Sequence, residues 1–253
     1  SLEEQLGTRL FYRAHKSVRL TEAGESFSRV ATRLLNDLAA AEKSLCQMVP
    51  SGRLTVQCLP TFAMHWLMPK LPGLNEMHPD LTVDVTTSIG PVNFDSAFDI
   101  AIRRDPAHFC GLSPVPFLKE FSVLVCSEDY LRSRPLTAPD KLEGHVKIQI
   151  RAREDLWKSW HRMFPSDADE DVQTITLDHT FAAIQAAEDG LGLVVIPQVF
   201  CTRHLESGRL VSPFNIQRIS TGDYYLLWRD RHDQTVKKFT DWLCLKGKDS
   251  FTE

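Results

Sequence analysis

Residues 53–102, RLTVQCLPTFAMHWLMPKLPGLNEMHPDLTVDVTTSIGPVNFDSAFDIAI, decide the architecture of the chain. Leu54 to Leu59 reads as a strand. A helix is expected around Ala63 to Glu76, a second strand over Leu81 to Thr86 and a third over Phe98 to Ile102. A strand, a helix and a further strand form a βαβ unit, so the fold class is α/β. Downstream the alternation continues, with strands expected at Ser113 to Leu118, Phe121 to Cys126, Val146 to Ile150, Thr174 to Leu177, Leu193 to Ile196 and Tyr224 to Arg229. Helices are expected near Leu156 to Met163, Thr180 to Glu188 and Thr235 to Lys246. Leu118 runs almost directly into Phe121, which suggests a crossing between two subdomains, and Tyr224 to Arg229 is a plausible return strand. Two α/β lobes hinged by two strands leave a cleft where polar strand ends and helix N-termini converge.

Upstream the texture differs. Thr21 can cap a helix running from Glu22 to Met48, which Pro50, Ser51 and Gly52 terminate. Phe27, Ala31, Leu34, Leu38, Ala41, Leu45 and Met48 recur at alternating spacings of four and three, the heptad seam of a coiled coil. A helix of roughly 40 Å, at about 1.5 Å per residue, cannot hide such a seam alone in water, so a partner helix is implied, most simply from an identical subunit. The competing reading is a helix lying on its own domain's core. Before it, Leu2 to Leu6 reads as a helix end stopped by Gly7. Arg9 to Arg13 and Ser17 to Leu20 then form a hairpin that carries Arg9, Arg13, Lys16 and Arg19 and no acidic residue. Such a local cation cluster contacts phosphates, although a charged hairpin is more often simply solvated.

Composition narrows the function classes. At 253 residues the chain has room for two or three domains, and 43% apolar with 25% charged residues is globular. No apolar run approaches a membrane span and nothing at the start resembles an export signal, so a cytoplasmic location without membrane association is expected. The net charge of -4 argues against nonspecific coating of nucleic acid but leaves room for a local basic patch. Six scattered cysteines without a CxxC pair read as reduced and structural, and the nine histidines show no metal-ligand spacing with them. Neither a metal nor a cofactor is expected. Enzyme motifs such as G-x-S-x-G, H-E-x-x-H and G-x-x-x-x-G-K-[ST] are lacking, and the lone G-L-G at 190–192 has no dinucleotide fingerprint around it.

Residues 1–24, SLEEQLGTRLFYRAHKSVRLTEAG, resemble the end of the recognition helix and the wing of LysR-type transcriptional regulators, in which LEEQLG, RLF-R and LTEAG recur in that order. Phe62 and Trp66 to Pro79, DIAIR at 99–103, AAEDGLGLVVIP at 186–197, GRLV at 208–211 and DWL at 241–243 resemble that family's sensor domain. PTFA, LWKSW and GDYYLLW are most similar to the branch containing the glycine-cleavage activator and the β-lactamase regulator that responds to cell-wall fragments. The resemblance implies the C-terminal part of a winged helix-turn-helix head over 1–21, a coiled-coil linker helix over 22–50 and an effector-binding domain over 51–253. That domain resembles the type 2 periplasmic binding proteins, with lobe I at 52–119 and 230–253 and lobe II at 120–229. It also implies about two and a half preceding helices, which would hold the base-reading residues.

Double-stranded operator DNA, a small-molecule effector and a second copy of the chain, as homodimer or homotetramer, are the partners so implied. Arg9, Arg13, Lys16 and Arg19 would contact the DNA backbone. For the effector, helix starts after Pro60 and Asp178 offer backbone N–H groups, and the hydroxyls of Thr61 and Thr180 either bind ligand or merely cap. In related cell-wall-fragment sensors, positions resembling Thr61, Thr180 and Tyr224 contact the ligand. Thr87, Ser88, Ser127 and Gln149 at strand ends are secondary polar candidates. Arg103 could face an acidic ligand or form a structural ion pair, and Phe62 and Phe181 either wall the cleft or belong to the core. Amino acids, cell-wall peptide fragments and small carboxylates remain as effector classes. The alternative function is a free-standing solute-binding protein, which the wing and coiled-coil stripe disfavour. Combining Leu34→Glu with Leu38→Glu is expected to dissociate the full-length protein in sedimentation and to weaken operator binding. Unchanged assembly and affinity would contradict the coiled coil.

Overall fold

The computed structural model describes residues 2–14, 17–28, 30–31, 34–35, 52–93, 97–165, 172–214, 218–228 and 233–250. The chain divides into two units, Ser1–Gly52 with Asn93–Ala97, and Arg53–Val92 with Phe98–Glu253.

In the first unit, helix α1 (Leu2–Leu6) stops at Gly7, whose φ of 62° suits a residue without Cβ. Strands β1 (Phe11–Ala14) and β2 (Ser17–Leu20) pair antiparallel. The Glu3 carboxylate accepts from the backbone N–H groups of Leu10 (2.7 Å) and Phe11 (3.0 Å), which ties helix to hairpin. Thr21 donates to the Arg9 carbonyl (2.7 Å) and accepts from Gly24 N (3.0 Å), so it caps the helical stretch α2 (22–28, with 30–31 and 34–35). Leu10 is buried, whereas Leu2, Leu6, Phe11 and Leu20 lie exposed. A five-residue helix, one hairpin and a helix start offer too little surface to cover them. Along α2, Phe27 and Val30 are exposed, as are Leu34 at 63% and Leu35 at 65%, while Ala31 is half-buried. Leu38, Ala41, Leu45 and Met48 of the predicted seam lie outside the described residues, as does Lys16.

The second unit is built on a six-stranded mixed sheet in the order β4-β3-β5-β10-β6-β9, comprising β3 (Arg53–Cys58), β4 (Thr82–Thr87), β5 (Ile100–Arg103), β6 (Val115–Val125), β9 (Val194–Pro197) and β10 (Ile219–Trp228). β3 runs parallel to β4 and β5, whereas β10 is antiparallel to β5 and β6. A second, parallel pair, β7 (Val146–Ile150) with β8 (Gln173–Leu177), joins the β9 region through a bridge between Lys147 and Leu193. Burial on both sheet faces explains the apolar runs at 100–102 and 194–197. Helices α6 (Asp155–Met163), α7 (Thr180–Glu188), α8 (Gln198–Glu206) and α9 (Gln234–Asp249) present apolar faces to the core, among them Val236, Phe239, Thr240 and Leu243 at helical spacing in α9. Trp66, Trp157, Trp160 and Trp242 are all buried packing residues.

Two segments differ from expectation. The helix predicted near Ala63 to Glu76 is composite: a turn, α3, at Pro60–Phe62, a π segment at Ala63–Leu67, a 3-10 turn at Met68–Lys70 and an α segment, α4, at Leu71–Met77. Pro69 and Pro72 lack the N–H that a regular ladder needs, so the spacing of the bonds shifts around them. The strands expected at Ser113 to Leu118 and Phe121 to Cys126 are one continuous strand, β6, because Lys119 and Glu120 lie within the ladder to β10.

The G-L-G at 190–192 has a structural reason. Gly190, at φ 76°, follows α7, with Gly190 N bonding the Ala187 carbonyl (3.2 Å) and Leu191 N the Ala186 carbonyl (3.0 Å), the Schellman pattern of a helix end. A Cβ on Gly192 would overlap the Val146 carbonyl across the Lys147–Leu193 bridge. Gly192→Ala is therefore expected to lower stability by about 1–3 kcal/mol in denaturant unfolding; a neutral effect would contradict this close approach.

Candidate ligand-binding site

The parallel strands β3, β4 and β5 end on one side of a cavity, and β7 and β8 end on the other. Leu59, Pro60, Thr61 and Phe62 follow β3, Ile89 and Gly90 follow β4, and Arg104, Asp105 and His108 follow β5. Ala152 and Arg153 follow β7, and His179, Thr180 and Phe181 follow β8. Phe200 of α8 and Tyr224 of β10 complete the lining of this cleft, which has a volume of about 150 Å³. A crevice outside the carboxyl ends of parallel strands is where α/β folds bind ligands, because backbone groups and helix starts converge there.

The apolar floor is an aromatic cluster in which Phe62 lies 5.0 Å from Tyr224 and 6.3 Å from Phe200 between ring centroids. Thr61 and Thr180 both reach the lining, and neither occupies a cap position. Leu59 and His179 hold those positions, without side-chain capping bonds. Phe181 stacks on His179 at 5.3 Å.

Beside this floor, and partly lining the cleft through Arg104 and Arg153, lies an ionic network. The fully buried Glu120, on β6, receives Arg104 Nε (3.1 Å), Arg153 Nη2 (2.7 Å) and Nη1 (3.2 Å), and the Thr221 hydroxyl (2.7 Å). Asp155 receives Arg104 Nη2 (2.8 Å) and Arg153 Nε (3.0 Å), and Arg104 also donates to the Thr221 carbonyl. Burial alone would raise the Glu120 carboxyl, but the charges of Arg153 and Arg104 and the bonds from Arg153 and Thr221 hold it below the usual carboxylate range. Tyr224 is pushed the other way: burial, the Glu120 charge and a hydrogen bond to that carboxylate keep its hydroxyl protonated far above its ordinary range. Two arginines thus face two carboxylates, leaving the floor close to electrically neutral.

Of the sequence candidates, Thr61, Phe62, Thr180, Phe181 and Tyr224 are brought together in this cavity. Arg103 is not on the lining. It is fully buried and donates to the carbonyls of Gly90 (3.0 Å), Gln57 (3.2 Å) and Ile102 (2.9 Å) and to the Gln57 side chain, so it braces the Gly90 turn from behind. Ser127 caps the short helix α5 (Glu128–Ser133), accepting from Tyr130 N (3.3 Å). Thr87 and Ser88 lie beside the lining residues Ile89 and Gly90 but outside the set. Gln149 opens onto a different groove, with Lys147, Arg151, Trp157 and Thr176. Arg104, Arg153, Glu120 and Asp155 were missed by the sequence reading, although an acidic residue inside an apolar strand such as Glu120 is a signal for a buried ion pair. In the first unit Arg9 and Arg19 are exposed.

These features define a ligand-binding α/β domain. Residues 48–244 match the family model described as the LysR substrate binding domain. The glycine cleavage system transcriptional activator of Escherichia coli K12 is 30% identical over 251 residues, covering 98% of this chain and 82% of that protein. The transcriptional activator AmpR of Pseudomonas aeruginosa is 29% identical over 252 residues, covering 96% and 82%. The crystal structure of the AmpR effector domain from that organism superposes with a TM-score of 0.68 at 25% identity, covering 78% of this chain and 96% of that one. The full-length Vibrio cholerae virulence activator AphB shares the fold at a TM-score of 0.58 and 23% identity, covering 96% and 85%. The chain belongs to the LysR-type transcriptional regulators, and its second unit carries the effector-binding domain of that family. Regulators of this family bind DNA and small-molecule effectors and form oligomers. The matched relatives extend across residues before 53 as well, which gives no support to a free-standing solute-binding protein. No helix among the described residues is long and apolar enough to cross a membrane.

Glu120→Gln is expected to cost about 3–5 kcal/mol at neutral pH, since both arginines lose a buried counter-charge. A carboxyl depressed in the fold stabilises fully above its unfolded value, near 4.5, and loses that contribution as pH falls through the folded value. The gap between wild type and variant in urea unfolding should therefore close below about pH 4.5. A gap independent of pH would contradict the network.

Proposed function

We propose that the effector of this regulator is a small amino acid or comparably small carboxylate, bound in the cleft between Thr61 and Thr180 over Tyr224. The lining carries this reading: the hydroxyl-bearing Thr61 and Thr180 reach the cleft from the ends of separate strands over an aromatic floor, which suits a compact polar ligand. The start of α7 beside Thr180 favours a carboxylate, while the balanced arginines and carboxylates beside Tyr224 favour a ligand whose own charges balance, as in a zwitterion. Phe62, Phe181 and Phe200 wall the apolar part.

In the same reading the domains divide at 1–21, 22–50 and 51–253, the last into lobe I (52–119, 230–253) and lobe II (120–229). Arg9, Arg13, Lys16 and Arg19 contact operator phosphates, and the seam from Phe27 to Met48 pairs subunits into a homodimer or homotetramer. The exposed Leu34 supports the pairing. The protein acts in the cytoplasm as a binding protein without catalysis, and ligand shifts the balance between two subunit arrangements by its differential affinity for them.

Thermal unfolding against a panel of amino acids, small carboxylates and cell-wall peptides tests the site. A ligand at a hundred times its Kd adds about 2.7 kcal/mol of stability. The expected result is a saturable rise in Tm with one small amino acid or acid, lost in Thr61→Val and in Thr180→Ala while the unliganded Tm stays near wild type. A rise only with peptides, or one undisturbed by both substitutions, would overturn the assignment.

A further inference from the structure

We propose that His65 and His204 form a binding site for a divalent transition-metal ion of the zinc, nickel and copper type. His65 lies in the π segment Ala63–Leu67 and His204 near the end of α8, 139 residues further along the chain. Folding brings His65 Nδ1 to 3.4 Å from His204 Nε2, with ring centroids 5.4 Å apart. Two imidazole–metal bonds of about 2.0–2.1 Å at a tetrahedral angle place their nitrogens about 3.3 Å apart, so a small turn of the rings aims both lone pairs at one ion.

A second observation points the same way. The other ring nitrogen of His204, Nδ1, lies 2.5 Å from Glu188 Oε1, and Glu188 is in turn held by Arg209 Nε at 3.3 Å. A carboxylate on the far nitrogen fixes the tautomer with the Nε2 lone pair facing His65, the arrangement that supports metal-bound histidines. Glu188 is therefore a positioning residue and not a ligand; among the described residues no group of three or more His, Cys, Asp or Glu is arranged to hold a metal ion, so the proposed site rests on the two imidazoles. The protein supplies two nitrogens, and water or a small molecule supplies the rest. Imidazole donors select borderline ions over magnesium or calcium.

The site's position gives it a consequence. His65 is four residues past Thr61 and His204 four past Phe200, and both Thr61 and Phe200 line the ligand cavity. An ion here fastens together two segments that wall the cleft, so metal and effector affinities are coupled, each altering the other by the same factor.

The test is calorimetric titration of Zn²⁺ and Ni²⁺ into the tag-free 253-residue chain with its cysteines kept reduced, paired with circular dichroism to confirm folding. One saturable site per chain is expected, absent in His65→Ala and in His204→Ala and weakened about 10- to 100-fold in Glu188→Gln. His161→Ala, remote from the pair in sequence and on α6, should bind as wild type does. Should an alanine variant not fold, His65→Gln and His204→Gln replace it. Lack of saturable binding, or a stoichiometry unchanged in folded variants of both histidines, would overturn the proposal, as would Glu188→Gln binding as tightly as wild type.

Discussion

A carboxylate without any solvent exposure, Glu120, is the constraint around which the effector domain is arranged. It sits in the middle of the long strand β6, where an unpaired charge would be prohibitively costly, and it is tolerable only because Arg104 and Arg153 reach it from separate segments while Thr221 on the neighbouring strand donates to it. Those three requirements link the loop after β5, the segment after β7 and the strand β10, which are far apart in sequence. Tyr224 lies in the same network and forms the floor of the cavity beside it. The ionic cluster thus holds in register the segments that must face each other for the cavity to exist.

The chemistry of the cleft follows from strand direction. Three parallel strands end on one side of the opening and two on the other, and the residues just beyond those ends supply almost all of the lining. This geometry gives a LysR-type regulator a compact, mostly apolar cavity with a few placed polar groups, Thr61 and Thr180 among them. It also makes the cavity sensitive to the relation between the two groups of strands, since ligand touching both sides stabilises one spacing over another.

Much of this was legible in the sequence. Alternating apolar runs gave the α/β class, Thr61 and Thr180 could be named because they sit at recognisable helix starts, and Tyr224 through its resemblance to a ligand-contacting position in related sensors. The errors have physical causes. The adjacent pair Arg103 and Arg104 reads as two equivalent cations, yet Arg103 is turned into carbonyl contacts behind the cleft while Arg104 lines it, a difference set by which way each side chain leaves the strand end. The buried ion cluster was missed because sequence alone does not show which arginines neutralise Glu120 within the strand. His65 and His204 looked like scattered histidines, since a separation of 139 residues leaves no local pattern for a pair made by tertiary packing.

The account stands or falls on whether ligand binds at the convergent strand ends, and hydrogen–deuterium exchange with and without a Tm-raising ligand measures that most directly. Slowed exchange should concentrate in peptides covering 59–62, 89–90, 152–153 and 179–181, with smaller changes along β10 around Tyr224. Slowing confined to the groove of Lys147, Gln149 and Trp157, or spread evenly over the domain, would contradict it.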